Sequence, residues 1–376
     1  MLKRYTTAEN GRTKLLSLIY THDEHKIDNA LIDKDAYSVL DTLSGNGYEA
    51  YVVGGAVRDL LIGCKPKDFD IVTEATPRTV RKLFRNSRII GRRFRLVHVV
   101  FPNQIIEVST FRSEDATDSE NNIFGTLTED AQRRDFTINS LYYNPSNSQL
   151  LDFHGGFNDL KNRVLRPVIP IDVSFTGDPI RMIRAVKYAV KCSLDIDSEI
   201  KGAFYKYSKE LTKVSESRMV EEVNKILLSG YSLEILKRLD KYDLLIFIMP
   251  RISEEIMRKN THLITALKEL DKTIQNGTTV VLSDAYAALM SFIVNKKEVE
   301  KLEINDRLSY VMQLLHKALR PLGTPWKVLI EAGGKILQKK EIDFLKVSTN
   351  YDKQNTEIQK AKKAIKALTG NTVKDM

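Results

Sequence analysis

The feature that most restricts the fold is a change of period near Pro179. Ahead of it, short β-branched runs such as Tyr51-Val52-Val53 and QIIEVSTF alternate with turns and brief helical patterns. Behind it, apolar residues recur at helical spacing to the end, as in RMVEEVNKILL and SLEILKRL. A half-buried strand points alternate residues inward, whereas a helix buries every third or fourth. The expected class is therefore α+β: a small head with a mixed β-sheet flanked by helices, then an all-helical neck, body and tail. A chain of 376 residues has ample length for several packed modules. The expected organisation is a polar, loosely attached lead-in at 1–30, a head at 31–150, a neck at 151–240, and a body with a basic tail at 241–376.

Within the head, a helical pattern starts at Ala36 and stops at Gly45-Asn46-Gly47. The strand Tyr51-Val52-Val53 breaks at Gly54-Gly55 and the helical AVRDLLIG follows. DFDIVT reads as the next strand, and Pro77 opens the helix PRTVRKLFRN. FRLVHVVF and QIIEVSTF flank Pro102-Asn103, which is hairpin-turn chemistry. The acidic SEDATDSENNIFG, 113–125, is expected to be a mobile loop.

Lys plus Arg number 58 against 49 for Asp plus Glu, a net charge of +9. That surplus suits a polyanion such as nucleic acid, though charge by itself goes no further. The two cysteines, Cys64 and Cys192, have no CxxC or Cys/His spacing, which argues against a disulfide framework or zinc site and fits a reducing compartment. The apolar run Leu244 to Met249 is too short to span a bilayer, and the N-terminus lacks a signal pattern. A cytoplasmic protein with no membrane partner is expected. Nothing in the sequence specifies an oligomeric state, and a monomer is the working assumption.

KPKDFDIVT carries the chemistry. On a strand, Asp68 and Asp70 share a face while Phe69 turns to the core. Two close carboxylates repel unless neutralised, and Mg²⁺ favours such hard oxygens. Asp-x-Asp alone is most often a pair of exposed strand residues. Upstream, GGAVRD sets bare backbone N–H groups at a helix start, where a triphosphate can approach and Arg58 can assist. Downstream, Glu107 in IIEVSTFR supplies a third carboxylate if its strand neighbours the first. Three carboxylates holding two Mg²⁺ ions suit in-line nucleotidyl transfer, in which one ion activates a 3′-hydroxyl and the other neutralises pyrophosphate.

GG-x-x-RD, then Asp-x-Asp, then EVSTFR resembles the nucleotidyltransferase superfamily, and more narrowly the class II family of bacterial poly(A) polymerases and CCA-adding enzymes. The resemblance runs from about Tyr48 to Arg218, over VVGGAVRDLLIGCKPKDFDIVTEATP, NIFGTLTEDAQRRDFTINSLYY and DPIRMIRAVKYA. It implies that Asp68, Asp70 and Glu107 are the catalytic, Mg²⁺-binding carboxylates. It puts Gly54, Gly55 and Arg58 against the triphosphate, assigns Arg112 to the nucleotide, and gives Arg134, Asp135 and Asn139 of RRDFTIN to the ribose. The residues also allow Asp135 and Asn139 simply to cap the next turn. Asp178-Pro179 is likewise a complete N-cap and first-turn pair. The resemblance instead has Asp178 and Arg181 read the incoming base, a carboxylate accepting from adenine's amino group and a guanidinium donating to a ring nitrogen. Arg184 is implied in nucleotide binding, and Lys187 and Lys191 share its broad helix face, open to an RNA backbone. Gly177 stands where the family pattern is acidic, and Lys187-Tyr188 where it reads Arg-Phe.

IIGRRFRLVHVVF, Ile89 to Phe101, resembles the poly(A) polymerase version of this segment, where CCA-adding relatives carry a Phe-Gly-Thr-like one. The expected activity is template-independent addition of AMP from ATP to RNA 3′ ends, with CCA addition from CTP and ATP as the alternative. A small-molecule nucleotidyltransferase would not need the basic helical rear. A catalytically dead RNA-binding module would be expected to lose a carboxylate, and all three are present. The C-terminal KAKKAIKAL reads equally as a solvated helix face or an RNA contact.

Overall fold

The computed structural model describes residues 1–7, 13–91, 96–112 and 124–345. The chain packs as two compact units, Met1–Ser174 with Cys192–Ile200, and Phe175–Lys191 with Lys201 onward. The first contains the sheet and the second is helical, the α+β division that the change of period requires. The units part at Ser174, and the short segment Cys192–Ile200 returns to the first.

The strands are β1 (Leu2–Thr7), β2 (Thr13–Tyr20), β3 (Ala50–Val53), β4 (Asp70–Thr73) and β5 (Ser87–Ile90), then β6 (Leu96–Val100), β7 (Ile105–Thr110), β8 (Leu141–Asn144) and β9 (Gln149–Asp152). They form one sheet in the order β1-β2-β9-β8-β3-β4-β7-β6-β5. Neighbours are antiparallel except β4 and β7, which run parallel.

The lead-in is not loose. β1 pairs with β2, and β2 adds to β9 through Leu18, Ile19 and Tyr20. Tyr20 packs on Phe157 with ring centroids 4.4 Å apart, and buried His25 meets the Ser148 carbonyl at 3.0 Å. The apolar residues of KLLSLIY cover an edge that β9 would otherwise expose.

The two sheet faces differ. One carries Val52, Ile71, Val97, Ile106, Val108 and Tyr143 against helices Lys34–Gly45, Gly55–Leu61 and Pro77–Leu83, whose Val39, Leu43, Val57 and Val80 complete the main core. The other carries Tyr51, Val53, Val72, Tyr142 and Leu151, packed with Leu127 and Ala131 of the helix Leu127–Gln132. This second apolar cluster is the smaller one.

Candidate active site

One row of in-register residues crosses the second face: Tyr142, Val53, Asp70, Glu107, His98 and Arg88. Side chains at paired positions project together. The row is apolar through Tyr142 and Val53 and charged or polar from Asp70 onward. Asp70 and Glu107 are direct neighbours across the β4–β7 pairing. His98 Nε2 stands 3.4 Å from Glu107 Oε1, and the Glu107 side chain is 49% exposed. The neighbouring of these strands, on which a third carboxylate depends, is present for Glu107, and His98, absent from the expected site residues, is paired with it by the hairpin register alone.

β4 begins at Asp70 because its partner β3 ends at Val53, where Gly54 turns away at φ 69°. Asp68 therefore lies on the approach to the strand, two residues upstream of where the ladder starts. The alternation continues regardless: Asp68 and Asp70 are exposed while Phe69 between them is buried. Among the described residues no three Asp, Glu, His or Cys side chains already form a metal-holding group. Asp68, Asp70 and Glu107 offer carboxylate oxygens, the donors that a hard divalent cation takes.

The glycine turn sits between two guanidinium groups. A Cβ on Gly54 would stand 3.6 Å from Arg134 Nη1, and one on Gly55 would stand 3.6 Å from Arg58 Nη2. Arg58, expected against a triphosphate, is buried beside the turn. It donates to Asp59 Oδ1 at 2.6 and 3.0 Å and to Asn139 Oδ1 at 2.8 Å. Asn139 donates in turn to Asp135 Oδ1 at 3.0 Å, and Asp135 also accepts from the Phe136 amide at 2.8 Å. The local turn contact is thus real, but these residues also tie RRDFTIN to GGAVRD.

Arg134 donates through Nε to the Tyr142 hydroxyl at 2.8 Å and through Nη2 to Asp130 Oδ2 at 2.9 Å. Burial alone would lower this guanidinium, but Tyr142 and Asp130 outweigh it and hold it above its ordinary value. Burial, aided by Asp130, pushes the Tyr142 phenol well up, so it stays protonated. The Arg112 amide reaches Asp130 Oδ1 at 3.4 Å, and burial lowers its guanidinium against the pull of Asp130. Asp130 went unnoticed in the sequence, although its spacing of four from Arg134 is a helical ion-pair signal.

In the second unit, the helix Ile180–Lys191 follows Asp178-Pro179 as expected. The Asp178 carboxylate, however, turns to other partners than the helix start. Its Oδ2 accepts from Arg218 Nη2 at 2.9 Å and lies 3.9 Å from Arg181 Nε. Its Oδ1 is buried and has no hydrogen-bond partner among the described residues. Arg184 Nη1 lies 3.7 Å from Glu222 Oε2, and Lys187 Nζ bonds Glu222 Oε1. Lys187 is only 5% exposed, so it does not follow an RNA backbone; its helix turns it inward onto the helix Glu216–Leu227. Lys191, in the last turn, stays partly exposed. Arg218 and Glu222 were missed, though four-residue spacing of charges beside the apolar positions of RMVEEVNKILL could have flagged them.

Most of the expected 113–125 loop, Arg92 to Arg95 of IIGRRFRLVHVVF, and KAKKAIKAL lie outside the described residues. Among the described residues no helix is long and apolar enough to cross a membrane.

Residues 50–166 match the family described as Poly A polymerase head domain, and residues 193–256 match the one described as probable RNA and SrmB-binding site of polymerase A. Over 345 residues the chain is 37% identical to Poly(A) polymerase I of Escherichia coli O6:H1, covering 85% of this chain and 74% of that protein. It is 34% identical over 206 residues to the CCA-adding enzyme of Staphylococcus aureus MRSA252, covering 54% and 51%. The solved Bacillus stearothermophilus CCA-adding enzyme in complex with CTP has the same fold, with a TM-score of 0.54 and 21% identity over 91% of this chain and 89% of that one.

Proposed function

Because the chain belongs to the poly(A) polymerase family of nucleotidyltransferases, we propose that it is a template-independent polynucleotide adenylyltransferase, transferring AMP from ATP to RNA 3′ ends. The observation that carries this reading is the Asp70–Glu107 pair, in register on the open half of the sheet face and one strand from the glycine turn.

Asp68, Asp70 and Glu107 would hold Mg²⁺. Bound there, the cation would supply charge neutralisation at the attacking 3′-hydroxyl and the departing pyrophosphate. Arg134, fixed by Asp130 and Tyr142, reaches the turn at Gly54 and serves the triphosphate. Arg58, Asn139 and Asp135 keep that turn in shape from beside it, and Arg112 adds positive charge near Asp130. Asp178 and Arg181 of the helical unit would read the base, the carboxylate accepting from the adenine amino group and the guanidinium donating to a ring nitrogen. Arg184 supports that helix, and Lys191 remains for the RNA. Cys64 and Cys192, which form no disulfide with each other, suit a cytoplasmic setting.

The test supplies an oligo(A) primer and a tRNA lacking its 3′ CCA, with ATP and CTP together, and sequences the extended ends. Long A tracts are the expected product. Extension that stops after CCA would move the chain to the other branch of its family.

A further inference from the structure

We propose that the helical unit carries a second nucleic-acid site, a pocket for one adenine nucleotide of the RNA strand, built by Glu216, His316 and Arg320 beside Trp326. It rests on the reading of this chain as an RNA-adenylating enzyme. The cavity measures about 490 Å³ and is lined by Glu216, His316, Arg320, Pro321, Leu322 and Gly323. It forms where the first residue of the helix Glu216–Leu227 meets the segment joining the helices Arg307–Leu319 and Trp326–Lys339. A side chain at position 323 would run into the Glu216 carboxylate, so Gly323 lets that acid lie close against the pocket wall.

Three groups with different preferences converge on this cavity. His316 stacks on Trp326, with centroids 4.6 Å apart and planes 18° from parallel, which makes a stiff aromatic platform. Burial, then Arg320, holds the His316 imidazole below its usual range, so the ring is neutral near pH 7. A base face stacks favourably on such a platform. Arg320 is exposed and suits a phosphate. Glu216 would repel a bare phosphate but accepts from an exocyclic amino group, which adenine has and uracil lacks. Neither Glu216 nor Arg320 has an ion-pair partner among the described residues, so both are available to a ligand. Base face, base amino group and phosphate occur together in every residue of an adenine-rich strand.

Trp326 is the only tryptophan in the chain, and its stack on the lining His316 couples its fluorescence to this pocket. The full chain is titrated without divalent metal against a short oligo(A), an oligo(U) of equal length and inorganic phosphate. Oligo(A) is expected to quench saturably and at least tenfold more tightly than oligo(U), with no comparable effect of phosphate. Arg320→Glu should weaken oligo(A) quenching at least tenfold, and Glu216→Gln should erase the preference for A over U. His316→Phe, which keeps the stack, should retain the quench and guards against a misfolded variant being misread. Absent saturation, equal response to oligo(U) or phosphate, or indifference to Arg320→Glu overturns the pocket. AMP addition with Mg²⁺ and ATP is assayed on the same preparations. Addition without quenching defeats the pocket alone, whereas no addition by the wild-type chain defeats the function on which it rests.

Discussion

Replacing Lys187 with methionine would leave the Glu222 carboxylate, 4% exposed, with Arg184 at 3.7 Å as its remaining charged neighbour. Breaking a buried ion pair from one side costs roughly 3–5 kcal/mol, because the other charge stays desolvated. Arg184 softens this for Lys187→Met, so the loss should fall near the lower end. Glu222→Leu is worse: it strands a buried ammonium beside a second cation, and the loss should fall near the upper end. The double variant removes both charges and puts apolar groups of similar length in their place, and such exchanges are close to neutral. The two single losses should therefore fail to add. At about 2–4 °C per kcal/mol for a unit of this size, Lys187→Met should lower the melting midpoint on the order of 10 °C.

The pH dependence gives a second handle on the same pair. Burial pushes the Lys187 amine down to about 8, against the upward pull of Glu222. In the unfolded chain a lysine titrates near about 10.4. Between those two values the unfolded chain binds more protons than the folded one, so this group makes stability rise with pH. Glu222→Leu removes the upward pull, widens the window downward, and should steepen the climb between neutral pH and pH 9.5. Lys187→Met should abolish that component. Both are measured by thermal unfolding across pH with Trp326 fluorescence. RNA binding supplies the counter-test. If Lys187 neutralised a phosphate, its loss would reduce the salt slope of binding by about one; an unchanged slope is expected. An unaltered melting midpoint together with a reduced slope would refute the buried-pair account and return Lys187 to the RNA surface.

Asp70→Asn should cut AMP addition at least about 1,000-fold, equivalent to roughly 4 kcal/mol of transition-state stabilisation, while RNA affinity in filter binding holds; near-normal turnover with Mg²⁺ would remove Asp70 from the metal site. Arg181→Ala, and Arg218→Ala by releasing the Asp178 carboxylate, should each relax the preference for ATP over CTP about tenfold, read from competing nucleotides on one primer. An unchanged preference would give Asp178 a purely structural part. Gly156→Ala should destabilise the sheet-bearing unit by about 1–3 kcal/mol in denaturant unfolding, since its methyl would run into the Thr137 carbonyl. A midpoint equal to wild type would mean that the helix Gly156–Lys161 can start elsewhere.

What could be read from the sequence and what could not divide along a physical line. The strand-turn-helix at Val53–Gly55, the helix stop at Gly47 and the Pro102–Asn103 hairpin are all specified by residues a few positions apart, and each formed. Asp70 and Glu107 were legible only as far as parity. Strand alternation says which face each occupies, but their adjacency depends on a parallel pairing between segments more than thirty residues apart. The misreadings have a common origin in charge. Lys187 looked like surface because an ammonium on a helix usually is; its acid partner is thirty-five positions on. Arg58 likewise has a distant partner, Asn139, eighty-one positions on. The lead-in looked loose because THDEHKIDN hid the apolar KLLSLIY just before it. Local reading assigns a charge to solvent or ligand by default, and buried polar groups survive only when a partner is present. Periodicity cannot name that partner when it sits on another element. This is why the three carboxylates of the proposed chemistry could be picked out, while Asp130, which fixes Arg134, and in the helical unit Arg218 and Glu222, which partner Asp178 and Lys187, emerged only from the packing.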